Sequence, residues 1–214
     1  MGRLLYLEGI ISSGKTTFAN KVGSRLNYRV FKEPVDPEHL TRFYKDPARY
    51  AFNFQIYLLH KRIGIQMLAA SESLYSDAYR GAIVDRSLFG DACFAGMHHD
   101  AGNIDDLDWQ AYQQALSNMK FMIWPPTTLI YLRVQPEVAY ERIQRRMQEE
   151  NRAFEGGVDL SYLRELYKRY EKLIRDAARG EFPWSHTLEV RHFDWNSDVR
   201  TEAEWDMIAA GLKG

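Results

Sequence analysis

Short, unbroken apolar runs alternate along this chain with longer stretches in which apolar residues return on a helical period. The first run, RLLYLEG, predicts a buried strand, and TTFANKVGSRL after it predicts a helix. YRVFKEP is a second, shorter strand that ends at Glu33 and is stopped by Pro34. From Asp46 to Asp77 a single long helix is expected, with Pro47 in its first turn, where a missing N–H leaves no bond unmade. GAIVDRS predicts a third strand, FGDACFAGMHH a helix, and DAGNIDD a polar loop. In DLDWQAYQQALSNMKFMI, Trp109, Tyr112, Ala115 and Leu116 share one face of a further helix. TTLIYLRV supplies a fourth strand and PEVAYERIQRRMQEENRAF a helix that opens on its proline. Beyond the break EGGVD, LSYLRELYKRYEKLIRDAARG is one more helix, followed by the fifth strand TLEVRHFDW and a closing helix in RTEAEWDMIAAGLKG.

Strands that are apolar throughout are buried on both faces. Separated by helices, they predict an α/β fold: a five-stranded parallel sheet with helices on both sides. No repeat, linker or low-complexity tract interrupts the chain, so one domain over 1–214 is expected. Composition sharpens the picture. With 45% apolar and 27% charged residues the chain reads as an ordinary soluble protein. A formal net charge of -1 disfavours a nucleic-acid polymer as partner and leaves room for small anions held by a local cluster of positive charge. A single cysteine, Cys93, excludes an internal disulfide framework and fits a reducing compartment. The chain enters strand-like sequence at once, and no apolar run approaches the roughly 18 residues of a membrane span. A cytoplasmic protein with no membrane contact is expected.

The chemistry begins between the first strand and the first helix. Gly9, Ile10, Ile11, Ser12, Ser13, Gly14, Lys15 and Thr16, with Thr17 following, fit the phosphate-loop pattern G-x-x-x-x-G-K-[ST] at every fixed position. Small residues let backbone N–H groups close around an anion, and the helix N-terminus behind them adds its dipole. Lys15 places a positive charge on the terminal phosphates, and the Thr16 hydroxyl is a ligand for Mg²⁺. Such a loop is shared by switch GTPases, transport ATPases and small-molecule kinases. Asp85, which closes GAIVDRS, stands directly before Arg86, a carboxylate for Mg²⁺ beside a cation for transferring phosphate. No N-K-x-D guanine-reading motif occurs.

The blocks EGIISSGKTT, KEPV, FYKDPARYAFNFQ, VDRSLFGDACFA, LIYLRVQPEVAYERI and FEGGVDLSYL follow one another in the order and spacing of the deoxyribonucleoside kinases, and the chain resembles that family over nearly its whole length. EPVDPEHLTRFYKDPARY and DRSLFGDACFAGMHHDAGNI look most like the bacterial deoxyadenosine/deoxycytidine and deoxyguanosine kinases. The resemblance implies a kinase that moves the γ-phosphate of ATP, with Mg²⁺, to the 5′-hydroxyl of a deoxynucleoside. It implies Glu33 as the general base, Asp85 as a Mg²⁺-positioning acid and Arg86 as the cation at the reacting oxygens. Gln55, Arg62 and Asp91 are implied to read the base. Gln55 and Arg62 lie seven residues apart on one helical face. An ionised Asp91 only accepts and Arg62 only donates, so an exocyclic amine is favoured and thymine is not.

By the same resemblance Tyr44 contacts the sugar 3′-hydroxyl, with Glu155 of Arg152-Ala153-Phe154-Glu155 as its partner, and Phe54 stacks on the base. Arg142, Arg145, Arg146 and Arg152 form a lid over the ATP phosphates, at about 142–158. The family pattern there is R-x-x-x-R-x-R-x-x-E; here MQEEN separates Arg146 from Arg152, so either arginine could meet the transferring phosphate. HFDWNSD resembles the loop around the donor adenine. Homodimers through helices are common in the family, and the Asp46–Asp77 and Trp109–Ile123 helices have apolar residues to spare. A nucleoside monophosphate kinase of the thymidylate kinase type shares the phosphate loop, the Asp-Arg pair and the lid; Glu33, which would repel an acceptor phosphate, argues against it. A non-enzymatic nucleotide switch is the third reading, opposed by the assembly of base, sugar and phosphate contacts in one chain.

Overall fold

The computed structural model describes residues 2–33, 36–150, 158–181, 188–198 and 200–213. Five parallel strands lie in the order β2-β3-β1-β4-β5: β1 (Arg3–Glu8), β2 (Tyr28–Phe31), β3 (Gly81–Asp85), β4 (Thr128–Arg133) and β5 (Glu189–Asp194). Leu4, Leu5, Tyr6 and Leu7 are all buried, so consecutive side chains of β1 find cover on both sides of the sheet. This is the reason the strands read as continuous apolar runs. Pairing parity assigns the faces. Tyr6, Glu8, Tyr131 and His192 share one face, where Tyr6 meets Phe89 of α4 (Leu88–Asp100) and Tyr131 stacks on Tyr170 of α7 (Leu160–Ala178). Phe193 points the other way, to Phe18 of α1 (Lys15–Leu26), which also touches Trp205 of α8 (Glu202–Leu212).

Local signals set the helix boundaries. Asn27 adopts a left-handed conformation at φ 55° and closes α1. The Asp36 side chain accepts from Glu38 N at 2.8 Å and caps α2 (Pro37–Lys45). Asp46 caps α3 (Pro47–Tyr75) through Arg49 N at 3.2 Å. Pro47 disfavours helical geometry at Asp46, so α2 ends and α3 begins there rather than the two fusing. The helix α2 has no counterpart in the expectation from pattern, although Asp36-Pro37 is a cap followed by a first-turn proline. Two expected boundaries also shift. β2 ends at Phe31, so Glu33 stands on a loop beyond the strand. α5 (Asp106–Lys120) stops short of Ile123, and α6 (Pro136–Glu150) completes the set. Among the described residues no helix is long and apolar enough to cross a membrane.

Candidate active site

One cavity of about 890 Å³ opens at the carboxyl ends of β1 and β3, where a doubly wound sheet gathers its reacting groups. Its wall includes Ile11, Ser12, Ser13, Gly14, Lys15, Thr16 and Thr17. Gly14 turns into α1 with φ 84°, a left-handed conformation that suits glycine, and no side chain caps the helix. The first amides of α1 are thereby left for an anion. Gly9 and Ile10 lie behind this wall. Their carbonyls accept from Lys15 Nζ at 3.1 and 2.9 Å, and the Ser13 hydroxyl lies 3.3 Å from the same ammonium. Burial first, and then the Arg86 charge, lower the Lys15 pKa to about 7. The lysine is thus held inside the loop with only neutral oxygens bonded to it.

At the mouth of β3, Thr16 Oγ1 donates to Asp85 Oδ2 at 2.6 Å. Asp85 Oδ1 is buried and makes no hydrogen bond, and desolvation raises the pKa of the carboxyl. Arg86 follows at φ 75°, a left-handed backbone in a non-glycine residue, of the kind that persists where surrounding structure enforces it. Its Nε forms an ion pair with Glu33 Oε1 at 3.0 Å, and its Nη1 donates to Gly9 O at 3.3 Å and to the Tyr170 hydroxyl at 2.5 Å. Phe94 lies under the guanidinium, 4.8 Å from ring centre to Cζ.

Glu33 Oε1 meets two guanidiniums: it accepts a hydrogen bond from Arg62 Nη2 and forms the ion pair with Arg86 Nε. Burial opposes its ionisation, but Arg86, Arg62 and Lys15 outweigh this and hold the carboxyl at about 2. The acid predicted from KEPV is firmly ionised and faces the cavity. Arg62 reaches it from α3 and also pairs through Nη1 with Asp91 of α4, which is wholly buried. Gln55, on the same face of α3, lines the cavity with its Oε1 buried and making no hydrogen bond. Phe54, Phe43 and Tyr44 complete an aromatic wall, Phe43 stacking on Phe54 at 4.8 Å. Gln55, Arg62, Phe54, Tyr44 and the phosphate loop therefore border one space, whereas Asp91 does not line it and is linked to it through Arg62.

A family model described as deoxynucleoside kinase matches residues 5–209. The chain belongs to the deoxynucleoside kinase family. It is 34% identical over 210 residues to a deoxyadenosine kinase of Dictyostelium discoideum, covering 98% of this chain and 79% of that one. A deoxyadenosine/deoxycytidine kinase of Bacillus subtilis (strain 168) is 30% identical over 175 residues, covering 80% and 76%. Among solved structures, a deoxyadenosine kinase from M. mycoides with bound dCTP superposes with a TM-score of 0.77 at 26% identity, covering 97% of this chain and 98% of that one. The deoxynucleoside kinases are ATP-dependent phosphotransferases acting on deoxynucleosides, and this chain is one of them.

In this kinase the expected lid arginines are partly folded into the wall. Arg142 is buried; its Nη2 donates to Trp195 O at 2.7 Å and its Nε pairs with Asp198 at 2.6 Å. Arg145 reaches the same Asp198 at 2.6 Å, and Arg146 lines the cavity. Arg152 and Glu155, the remaining lid and sugar candidates, lie outside the described residues. Residues with no assigned role in the sequence reading also enter the wall. Trp195 and Arg200 stack with the guanidinium 3.3 Å above the ring, and Tyr162 closes the side near Tyr44. HFDWNSD pointed to this segment without naming a residue. Glu8, the last residue of β1, is wholly buried beneath Arg86; its signal was a charge closing an otherwise apolar run.

Proposed function

We propose that this deoxynucleoside kinase transfers the γ-phosphoryl group of ATP to the 5′-hydroxyl of an amine-bearing deoxynucleoside, deoxyadenosine before deoxycytidine and deoxyguanosine. The observation that carries this reading is Glu33: an ionised carboxylate on the cavity surface, held by Arg62 on the base side and by Arg86 on the phosphate side. An acceptor-only group there binds and orients a hydroxyl and repels a monophosphate. The runner-up, a nucleoside monophosphate kinase, needs positive charge at that point.

The loop amides and Lys15 hold the β- and γ-phosphates; a bound phosphate restores the proton that burial makes Lys15 lose. Thr16 and Asp85 fit a Mg²⁺ ion: both offer hard oxygens, and Asp85 Oδ1 has no other partner. When bound, the ion supplies neutralisation of the developing phosphate charge. Glu33 fixes the 5′-oxygen in line and takes its proton as the new bond forms. With its pKa at about 2, positioning outweighs proton abstraction, which suits a loose phosphoryl-transfer transition state. Arg86 stabilises charge on the transferred oxygens, while Arg142, Arg146 and Arg152 close as the lid over about 142–158. Tyr44 and Glu155 hold the 3′-hydroxyl. Gln55, Arg62 and Asp91 read an amine-bearing base against Phe54, and the Trp195 end of the cavity receives the donor base.

We also propose a homodimer in a reducing cytoplasm. Leu68 on α3, Leu107 on α5 and Phe121 beyond it are large apolar groups 62%, 76% and 78% exposed, and the buried thiol of Cys93 forms no disulfide. Turnover of the four deoxynucleosides and of dAMP and dTMP with ATP and Mg²⁺ tests the substrate reading. Deoxyadenosine should be phosphorylated best; thymidine turned over equally well, or dTMP preferred, would overturn it. Light scattering of the purified protein tests the dimer.

A further inference from the structure

One wholly buried acid takes no part in the proposed mechanism. Glu8 ends β1 with no exposed surface. Four donors converge on its two oxygens. Ser87 N–H reaches Oε1 at 2.9 Å, Gly90 N–H reaches it at 3.3 Å, and the Ser87 hydroxyl donates to the same atom. The Tyr170 hydroxyl donates to Oε2 at 3.1 Å. That hydroxyl in turn accepts from Arg86 Nη1 at 2.5 Å. A phenol can accept from a guanidinium and donate onward only while it keeps its proton, and burial raises the Tyr170 pKa well above the ordinary value.

We propose that Glu8 is a positioning residue for phosphoryl transfer, holding Arg86 in register with Glu33 through the Tyr170 hydroxyl and through the Ser87–Gly90 turn. The inference rests on Arg86 being the cation at the reacting oxygens. Three features of the chain support it. Arg86 keeps a left-handed backbone at φ 75°, which needs an external hold, and Glu8 bonds the very next N–H. Only a carboxylate suits the cluster: an amide has one accepting oxygen for four donors, and its own NH₂ would face either Tyr170 or the Ser87 and Gly90 amides. Position 90 is glycine because a Cβ there would lie 2.2 Å from Glu8 Oε2 and 2.5 Å from the Tyr170 hydroxyl. The small residue in α4 makes room for the acid in β1.

The test uses Tyr170→Phe, Glu8→Gln and Gly90→Ala in the full chain, with steady-state kinetics and thermal unfolding. Tyr170→Phe removes one hydroxyl from the relay and should lower kcat about tenfold or more, the scale of losing one hydrogen bond to a charged group. The KM for ATP should stay within about twofold, because the phosphate loop is untouched. Gly90→Ala displaces the Glu8 carboxylate without changing its charge and should give the same split, which keeps the test open if Glu8→Gln does not fold. In an Arg86→Lys background the Tyr170→Phe effect on kcat should largely vanish, because both act through one guanidinium. Tyr170→Phe and Gly90→Ala at wild-type kcat would overturn the proposal, as would an equal loss with and without Arg86. A lowered Tm at unchanged kcat in the folded variants means Glu8 is structural only. If Arg86→Lys itself keeps full kcat, it is the assignment of Arg86 that fails.

Discussion

Arg62 offers the most direct measurement of what holds this site together. Its side chain is 2% exposed, and that of its partner Asp91 is 0% exposed. Arg62→Met keeps most of the volume and removes the charge, leaving the Asp91 carboxylate enclosed without its cation. Removing one partner of a buried ion pair destabilises by about 3–5 kcal/mol, because the other charge remains desolvated. Glu33 adds little to this loss, since it keeps Arg86 at 3.0 Å. For a chain of this size the expected fall in Tm is about 6–20 °C. Replacing both members, Arg62→Met with Asp91→Leu, removes the stranded charge and should recover most of the stability, while deoxyadenosine turnover stays lost in both variants. The lone carboxylate of the single variant also gains a proton more readily than the paired one. Its deficit should therefore shrink as pH is lowered from 8 to 5, as for any acid whose folded-state pKa is raised. Urea titrations of the three proteins at the two pH values are the assay. A single variant within about 1 kcal/mol of wild type would refute the argument, as would a double variant no more stable than Arg62→Met.

Other expectations follow from the same geometry. Glu33→Gln should reduce kcat about a hundredfold or more with ATP binding retained, since a neutral amide lacks the charge that orients the 5′-hydroxyl and cannot take its proton; near-normal turnover would remove Glu33 from the reaction. Lys15 sits at about 7 in the free enzyme and is driven back to the ammonium by phosphate, so binding of ATP at pH 8 should take up roughly 0.9 proton. Calorimetry in buffers of different ionisation enthalpy reads that uptake, and Lys15→Met should abolish it. His98 is buried and its pKa falls from 6.5 to about 4 for that reason. Its folded form prefers the neutral ring, so its contribution is complete above pH 6.5 and is lost as pH falls toward 4, a change of about 3 kcal/mol. His98→Gln should flatten that limb of the stability curve; parallel curves for the two proteins would show that another group sets it.

How much of this was legible beforehand depends on what each residue's neighbours do. The five strands and the phosphate loop announce themselves, because two-faced burial and anion binding each demand a local sequence pattern. Gln55 and Arg62 stood out as polar positions on a face otherwise suited to burial. The helix α2 escaped notice because its caps, Asp36 and Asp46, punctuate a segment rich in charge, and only Phe43 among its residues is buried. The Arg142–Asp198 pair joins residues far apart in sequence, and no spacing rule links them. Glu8 was visible as an acid in an apolar run, but its meaning needed Ser87, Gly90 and Tyr170 to arrive from two other elements.

Arg62 also constrains how the enzyme could change its substrate. One guanidinium grips both Asp91, the acid proposed to read the base, and Glu33, the acid proposed to meet the reacting hydroxyl. A substitution there that admits a new base disturbs the chemical step in the same stroke. Gln55 and Phe54 touch the cavity without bonding Glu33, so they are the positions where an engineer, or a lineage under selection, could alter preference and keep the rate. Diversification of base choice should accordingly run along the rest of α3 while Arg62 stays fixed, a pattern that a library randomised at these three positions would bring to light.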